Sequence, residues 1–214
     1  MKKILSLALA AVMALSLVAC GGNNNETTAP ETTAPAVETT APVTETTAPI
    51  VETTAPVTAD ANGATTVLQN IWNKIDEKWA VFGGSDAENP VWDNPGNYDV
   101  ASENLSFQLL VPAEQTGKIT EAASMIHMMN TNTFTCAAFK LAEGVTAADF
   151  GAAMKDAVMN NQWMCGFPDS MLIRSIGDAY VVVAFGVNDA MTPFETHLTA
   201  AYPGMETIAS ETIG

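Results

Sequence analysis

Five copies of Glu-Thr-Thr-Ala-Pro, beginning at Glu26, Glu31, Glu38, Glu45 and Glu52, set the strongest limit on what this chain can fold into. The proline closing each copy (Pro30, Pro35, Pro42, Pro49, Pro56) lacks a backbone donor and blocks both helix and central strand. Nothing larger than Val or Ile stands between them to build a core. The spacing, five residues and then seven, is too short for a solenoid unit. Residues 20–60 are therefore expected to form a disordered, Thr/Pro/Glu-rich linker with polyproline II bias. At about 3.1 Å per residue such a linker reaches on the order of 120 Å extended, and roughly 35 Å as a flexible coil.

Upstream, Lys2 and Lys3 lead into residues 4–19, an uncharged run whose only polar members are Ser6 and Ser16. That is the length of a signal-peptide apolar region and short for a stable membrane span. It closes on Leu17-Val18-Ala19-Cys20-Gly21. This segment resembles the lipobox of bacterial lipoproteins, which carry a type II signal peptide. The resemblance implies that residues 1–19 are removed, that diacylglycerol is attached to the Cys20 sulfur, and that a further fatty acyl chain such as palmitate caps the new N-terminus. Its membrane partner would then be reached through lipid on Cys20, and two or three acyl chains anchor stably where one is marginal. A Thr/Pro/Glu linker after a lipobox is similar to those of Gram-positive, clostridia-type cell-envelope lipoproteins. The expected location is the extracytoplasmic face of the cell membrane.

Charge narrows the function further. There are 24 Asp and Glu against 8 Lys and Arg, a formal net charge of -16. Nucleic-acid binding needs clustered cations for phosphate contacts, so it is excluded as an expectation.

Residues 61–214 are long enough for one domain with a proper core. Leu68, Ile71, Trp72, Ile75 and Trp79 fall at helical spacing and predict a helix over 66–80, capped by Thr65 or Thr66 and stopped by Gly83-Gly84. Residues 84–104 read as loop and 105–111 as a strand. Pro112 opens a second predicted helix to about Met129, with Ile119, Ala122, Ala123, Ile126 and Met129 inward. Residues 133–141 read as a strand that is apolar on both faces and hence central. Thr146 with Asp149 three residues on, and Val145 before Phe150, announce a helix whose inner face is Phe150, Met154, Ala157 and Val158. A hairpin over 170–175 and 179–186 turns at Gly177-Asp178. Thr192-Pro193-Phe194-Glu195 reads as a capping box opening a last helix to about Tyr202. The expected fold is α+β: about four mainly antiparallel strands with three to four packed helices.

The chemistry-bearing residues are sparse. Cys136 and Cys165 remain after Cys20 is lipidated, and outside the cytoplasm they are a candidate disulfide, with two small buried hydrophobes as the preferred reading. Trp163-Met164-Cys165-Gly166-Phe167-Pro168-Asp169 bends from helix to hairpin, and Trp163 and Phe167 are its candidate pocket residues. His127 lies within Met125-Ile126-His127-Met128-Met129, a set of soft ligands suited to Cu(I), but helical spacing turns His127 to solvent and Met129 inward. His197 reads as a half-buried structural residue. The loop acids Asp86, Glu88, Asp93, Asp99 and Glu103, with Asn89, Asn94 and Asn97, offer oxygen to Ca²⁺ without fitting the EF-hand pattern. There is no Gly-x-Ser-x-Gly, no His-Glu-x-x-His and no phosphate-binding loop, so neither a catalytic set nor a cofactor or metal site is assigned.

The stretch 111–208 resembles a clostridial lipoprotein family of unknown function, through its order of helix, apolar strand, helix ending near Asn161-Gln162-Trp163, hairpin at Gly177-Asp178 and closing Phe194 helix. That resemblance covers under half the chain and implies an envelope lipoprotein, not an activity. The expectation is a non-catalytic binding domain for an envelope protein or small ligand. The alternatives are a Cu- or Ca-handling lipoprotein, and an envelope hydrolase using a carboxylate pair.

Overall fold

The computed structural model of the protein describes residues 61–214; the expected signal peptide, Cys20 and the linker lie outside the described residues. Element order is α1 (Ala64–Trp72), β1 (Val81–Gly83), β2 (Val91–Trp92), β3 (Gly96–Tyr98), α2 (Leu105–Gln108), a 3-10 turn (Ala113–Lys118), β4 (Ile119–His127), β5 (Phe134–Leu141), α3 (Ala147–Met159), β6 (Ser170–Ile176), β7 (Tyr180–Gly186), α4 (Asn188–Ala201) and β8 (Glu206–Thr212). The α+β class and the antiparallel pairing agree with expectation. The strand number does not: one sheet of eight strands forms, ordered β2-β1-β4-β5-β7-β6-β8, with β3 beside β4.

The layering follows from connectivity. β5 and β6 flank β7 and run parallel to each other, as do β7 and β8 flanking β6. Each parallel pair is joined by a helix, α3 and then α4, and both steps move the same way across the sheet. Because β5 and β7 point oppositely, right-handed crossovers place α3 and α4 on opposite faces. The two separate cores match this. Phe150, Met154 and Val158 of α3 pack on Phe139, Ile173 and Val183 on one side. Leu68 and Trp72 of α1 join Phe194 and Leu198 of α4 over Cys136, Val182 and Ala184 on the other. Covered on both faces, β5 and β7 are buried almost throughout, as the apolar run of β7 and the largely apolar β5, broken by Thr135 and Lys140, require.

Two glycine contacts set spacings. A Cβ on Gly83 would stand 2.0 Å from the Gly96 backbone nitrogen, so β1 and β3 cross backbone to backbone beside β4. A Cβ on Gly151 would meet Ile208 Cγ2 at 2.7 Å, so α3 seats directly on β8.

Several expected elements are corrected. The predicted helix over 112–129 is a 3-10 turn and the strand β4, paired Ala122 to Phe139 and Ala123 to Ala138. With both faces covered, β4 has no apolar alternation to distinguish it from a helical stripe. The predicted strand over 105–111 is the short α2 followed by Leu110 at φ 55, a conformation no strand accepts. Helix α1 ends at Trp72, short of the predicted residue 80, and the Trp72 indole Nε1 donates to the Asp93 carbonyl at 2.8 Å, tying the helix end to the 81–98 excursion. Its start is served not by Thr65 or Thr66 but from afar. Gly63 N donates to the Tyr180 hydroxyl at 2.8 Å, and Ala64 N to Glu121 Oε2 at 3.2 Å. The loop expected over 84–104 contains β2 and β3. Helix α4 begins at Asn188, whose N–H donates to Asp169 Oδ2 at 2.8 Å, so Pro193 lies inside the helix and Glu195 pairs with Arg174 instead of closing a capping box. Strand β8 was unanticipated. The cap of α3 forms as expected: Thr146 Oγ1 accepts from Asp149 N at 3.1 Å and donates to Asp149 Oδ2 at 2.7 Å.

Among the described residues no helix is long and apolar enough to cross a membrane.

Candidate functional site

The strands run between two poles, roughly 25 Å apart for strands of this length. At one pole the chain enters the domain at Ala61, beside Glu121, Lys140, Tyr180 and the Gly177-Asp178 turn. The opposite pole gathers the β4–β5 turn, the start of β6 and the end of β7, with the 81–98 excursion and α2 beside them.

That second pole carries apolar side chains in water. Phe107 is 80% exposed, Met129 86% and Met164 77%, and Trp92, Met128 and Phe167 are exposed too. Phe107 and Met164 border one recess, and Trp92 and Met128 a second beside it. One, of about 260 Å³, is lined by Phe107, Leu110, Asn132, Trp163, Met164 and Phe185 among others. The second, of about 270 Å³, is lined by Phe82, Asp86, Trp92 and Met128, and shares Gln108 with the first. From the first recess a groove of about 680 Å³ continues between residues 110–114 and α3, past Glu114 and Asp156.

The backbone here is held in unusual shapes. All three non-glycine residues with positive φ among the described residues belong to this pole: Asp93, Leu110 and Cys165. Positive φ in a residue such as Leu is costly and persists only where surroundings impose it. Asn130 and Asn132 impose it on the 164–166 loop. Asn130 Nδ2 donates to the Cys165 carbonyl at 3.0 Å, and Asn132 Nδ2 to those of Met164 and Gly166 at 2.7 and 2.9 Å. Trp163 tilts against Phe185 with ring centroids 5.2 Å apart, and its Nε1 is buried without a partner.

The sequence-derived candidates divide. Trp163 lines the first recess, whereas Phe167 stands outside that lining, near Gly214. Cys136 and Cys165 are both free thiols. Cys136 is buried within β5, and burial pushes its thiol well above the ordinary range. Cys165 is exposed, which corrects the reading of two buried hydrophobes. His127 ends β4, and its Nδ1 accepts from the N–H groups of Met129 and Asn130 at 3.2 and 3.4 Å, so it shapes the turn. Met129, expected inward, points to solvent. Asp86 accepts from the Asn89 side chain and from the backbone N–H groups of Glu88 and Asn89, which together hold its carboxyl below the usual range. Among the described residues no three His, Cys, Asp or Glu side chains gather into a metal-holding group. Sequence reasoning misses Phe107, Leu110 and Trp92 as site residues, because an apolar residue looks the same in sequence whether it packs or protrudes, and Asn132, because its carbonyl partners lie more than thirty residues away.

A separate hollow of about 230 Å³ between α4 and β8 is lined by Glu195 and Glu211. These carboxylates are paired, Glu195 with buried Arg174 and Glu211 with Lys155.

Compared with protein-family models, curated proteins and solved structures, the chain finds no match.

Proposed function

We propose that this chain is a lipid-anchored extracytoplasmic lipoprotein whose domain recognises a partner rather than transforming a substrate. The observation that carries the recognition role is the apolar pole. Large side chains stand in water around two recesses, at the end of the sheet opposite the entry of the chain. Exposed apolar patches mark contact surfaces, and here the patch is seated on the core through Leu110, Trp163 and Phe185 and held in strained backbone shapes. Support for the anchor is the sequence ending at Cys20. A surface facing away from the point of attachment suits a domain carried above a membrane on a long spacer.

Two experiments test this. Cys20→Ser is expected to release the protein from the membrane fraction into the medium; continued membrane association refutes lipidation. A photo-crosslinking amino acid in place of Phe107 is expected to give adducts of discrete mass on intact cells, and the same group at Asp178 none. Equal labelling at both positions overturns the assignment of the pole.

A further inference from the structure

Each recess alone lies slightly under the roughly 300 Å³ at which small-molecule pockets begin, and the first runs on into a groove of about 680 Å³ along α3, a shape suited to an extended segment more than to an enclosed small ligand. Two such recesses joined at Gln108 instead fit two apolar side chains of one segment. What surrounds them restricts that segment further. The stretches 81–114, 127–134 and 156–170, at the pole or along the groove leading from it, contain eight carboxylates and no Lys or Arg; Lys74 precedes them, and Lys118 and Lys155 stand just beyond them, Lys155 paired with Glu211. Three of those carboxylates line the cavities: Asp86 the second recess, Glu114 and Asp156 the groove. Lys78, in the segment leading into β1, is held over the Trp72 ring at 5.4 Å.

We infer that the pole docks a cationic amphipathic segment of a partner protein, inserting apolar side chains into the two recesses while its Lys or Arg residues meet the carboxylates beside them. This deepens the reading of the pole as the contact surface and rests on it. The other occupants fit less well. An anionic membrane repels the carboxylates. A second copy of the chain, meeting through the same face, brings like charges together. A neutral apolar ligand leaves the charge without a role.

The test uses the full chain in phosphatidylcholine nanodiscs, with empty nanodiscs as reference. It is titrated calorimetrically with a synthetic Lys/Leu amphipathic peptide and with its Glu/Leu counterpart. The Lys/Leu peptide is expected to bind and the Glu/Leu peptide to bind far more weakly. Neutralisation by Asp86→Asn, Glu114→Gln and Asp156→Asn together is expected to weaken the Lys/Leu peptide about tenfold at low salt, the size that three partly screened surface pairs carry, with most of the difference lost at high salt. Phe107→Ser, at an exposed position that leaves the fold intact, is expected to weaken binding as well. Equal affinity for the two peptides, or no loss in the triple variant, overturns the cationic assignment. If Phe107→Ser still weakens binding in that case, the contact surface stands. Binding that Phe107→Ser leaves unchanged overturns the contact surface itself. Docking onto phosphatidylglycerol vesicles that Phe107→Ser abolishes moves the occupant from a peptide to a lipid surface, and overturns the inference.

Discussion

At the pole where the chain enters, most polar groups meet partners, buried Gln115 Oε1 in the turn leading into β4 being the exception. Gly63 N reaches the Tyr180 hydroxyl, Ala64 N reaches Glu121, Glu121 pairs with Lys140 at 2.7 Å, and Thr146 closes the α3 cap. At the other pole the accounts differ. Two indole N–H groups, of Trp79 and Trp163, are buried without partners, large apolar side chains face water, and non-glycine residues adopt positive φ. The same sheet supports both ends. The entry pole therefore carries features that serve stability, and the far pole carries features that cost stability, which is the pattern the proposed recognition role rests on.

Substitutions sharpen this contrast, and the largest effect is expected where the far pole is built. Gly83→Ala pushes a methyl group into the Gly96 backbone, and is expected to destabilise by about 3 kcal/mol in denaturant melts. A change under about 0.5 kcal/mol would mean that the β1–β3 crossing is pliable. Thr146→Ala removes the α3 cap at the entry pole and is expected to cost about 1 kcal/mol, read from the same melts. The Glu121–Lys140 pair contributes less, being well exposed. Its sign is nonetheless determinate. The hydrogen bond from Lys140 lowers the Glu121 pKa, so its stabilisation is present above the ordinary carboxylate pKa and is lost as pH falls through the lowered folded value. Melting temperature measured against pH in the acid range is expected to fall less steeply for Glu121→Gln than for the parent; parallel curves would deny the pair a role. The smallest effect is expected at Phe107. Phe107→Ser should leave stability within about 0.5 kcal/mol, since the ring is exposed, and a larger loss would make it a packing residue and blur the contrast between the poles.

Legibility in the sequence followed locality. The β6–β7 hairpin, the α3 cap and the doubly apolar β5 carry their signals within a few residues, and they form as expected. The start of α4 does not, because its first N–H, that of Asn188, is met by Asp169, nineteen residues earlier, while Thr192-Pro193-Phe194-Glu195 carries the stronger local cap signal. The sequence of strand β4 carries a helical stripe because burial on both faces erases the two-residue period. Edge strand β8 offers only Ile208 and Ala209 as apolar signal between polar neighbours. The site was the least legible part. Trp163 stood out by its surroundings, but Phe107, Leu110 and Trp92 become site residues only when the 81–98 excursion and α2 are folded beside the β4–β5 turn.

Helix α1 has a mechanical consequence. It is the first element after the point of entry, and it is bound to distant parts of the chain, with Asn70 Nδ2 donating to the Tyr202 hydroxyl at 3.0 Å. Any tension arriving through residue 61 meets two ties to the sheet, at Tyr180 of β7 and Glu121 of β4, before it is borne by the length of α1. The Gly63–Tyr180 and Ala64–Glu121 bonds take that load first, acting as a strain relief that would have to break before α1 is drawn from the core it shares with α4. A pull between the two poles would then peel α1 away while the strands bearing the recesses stay paired.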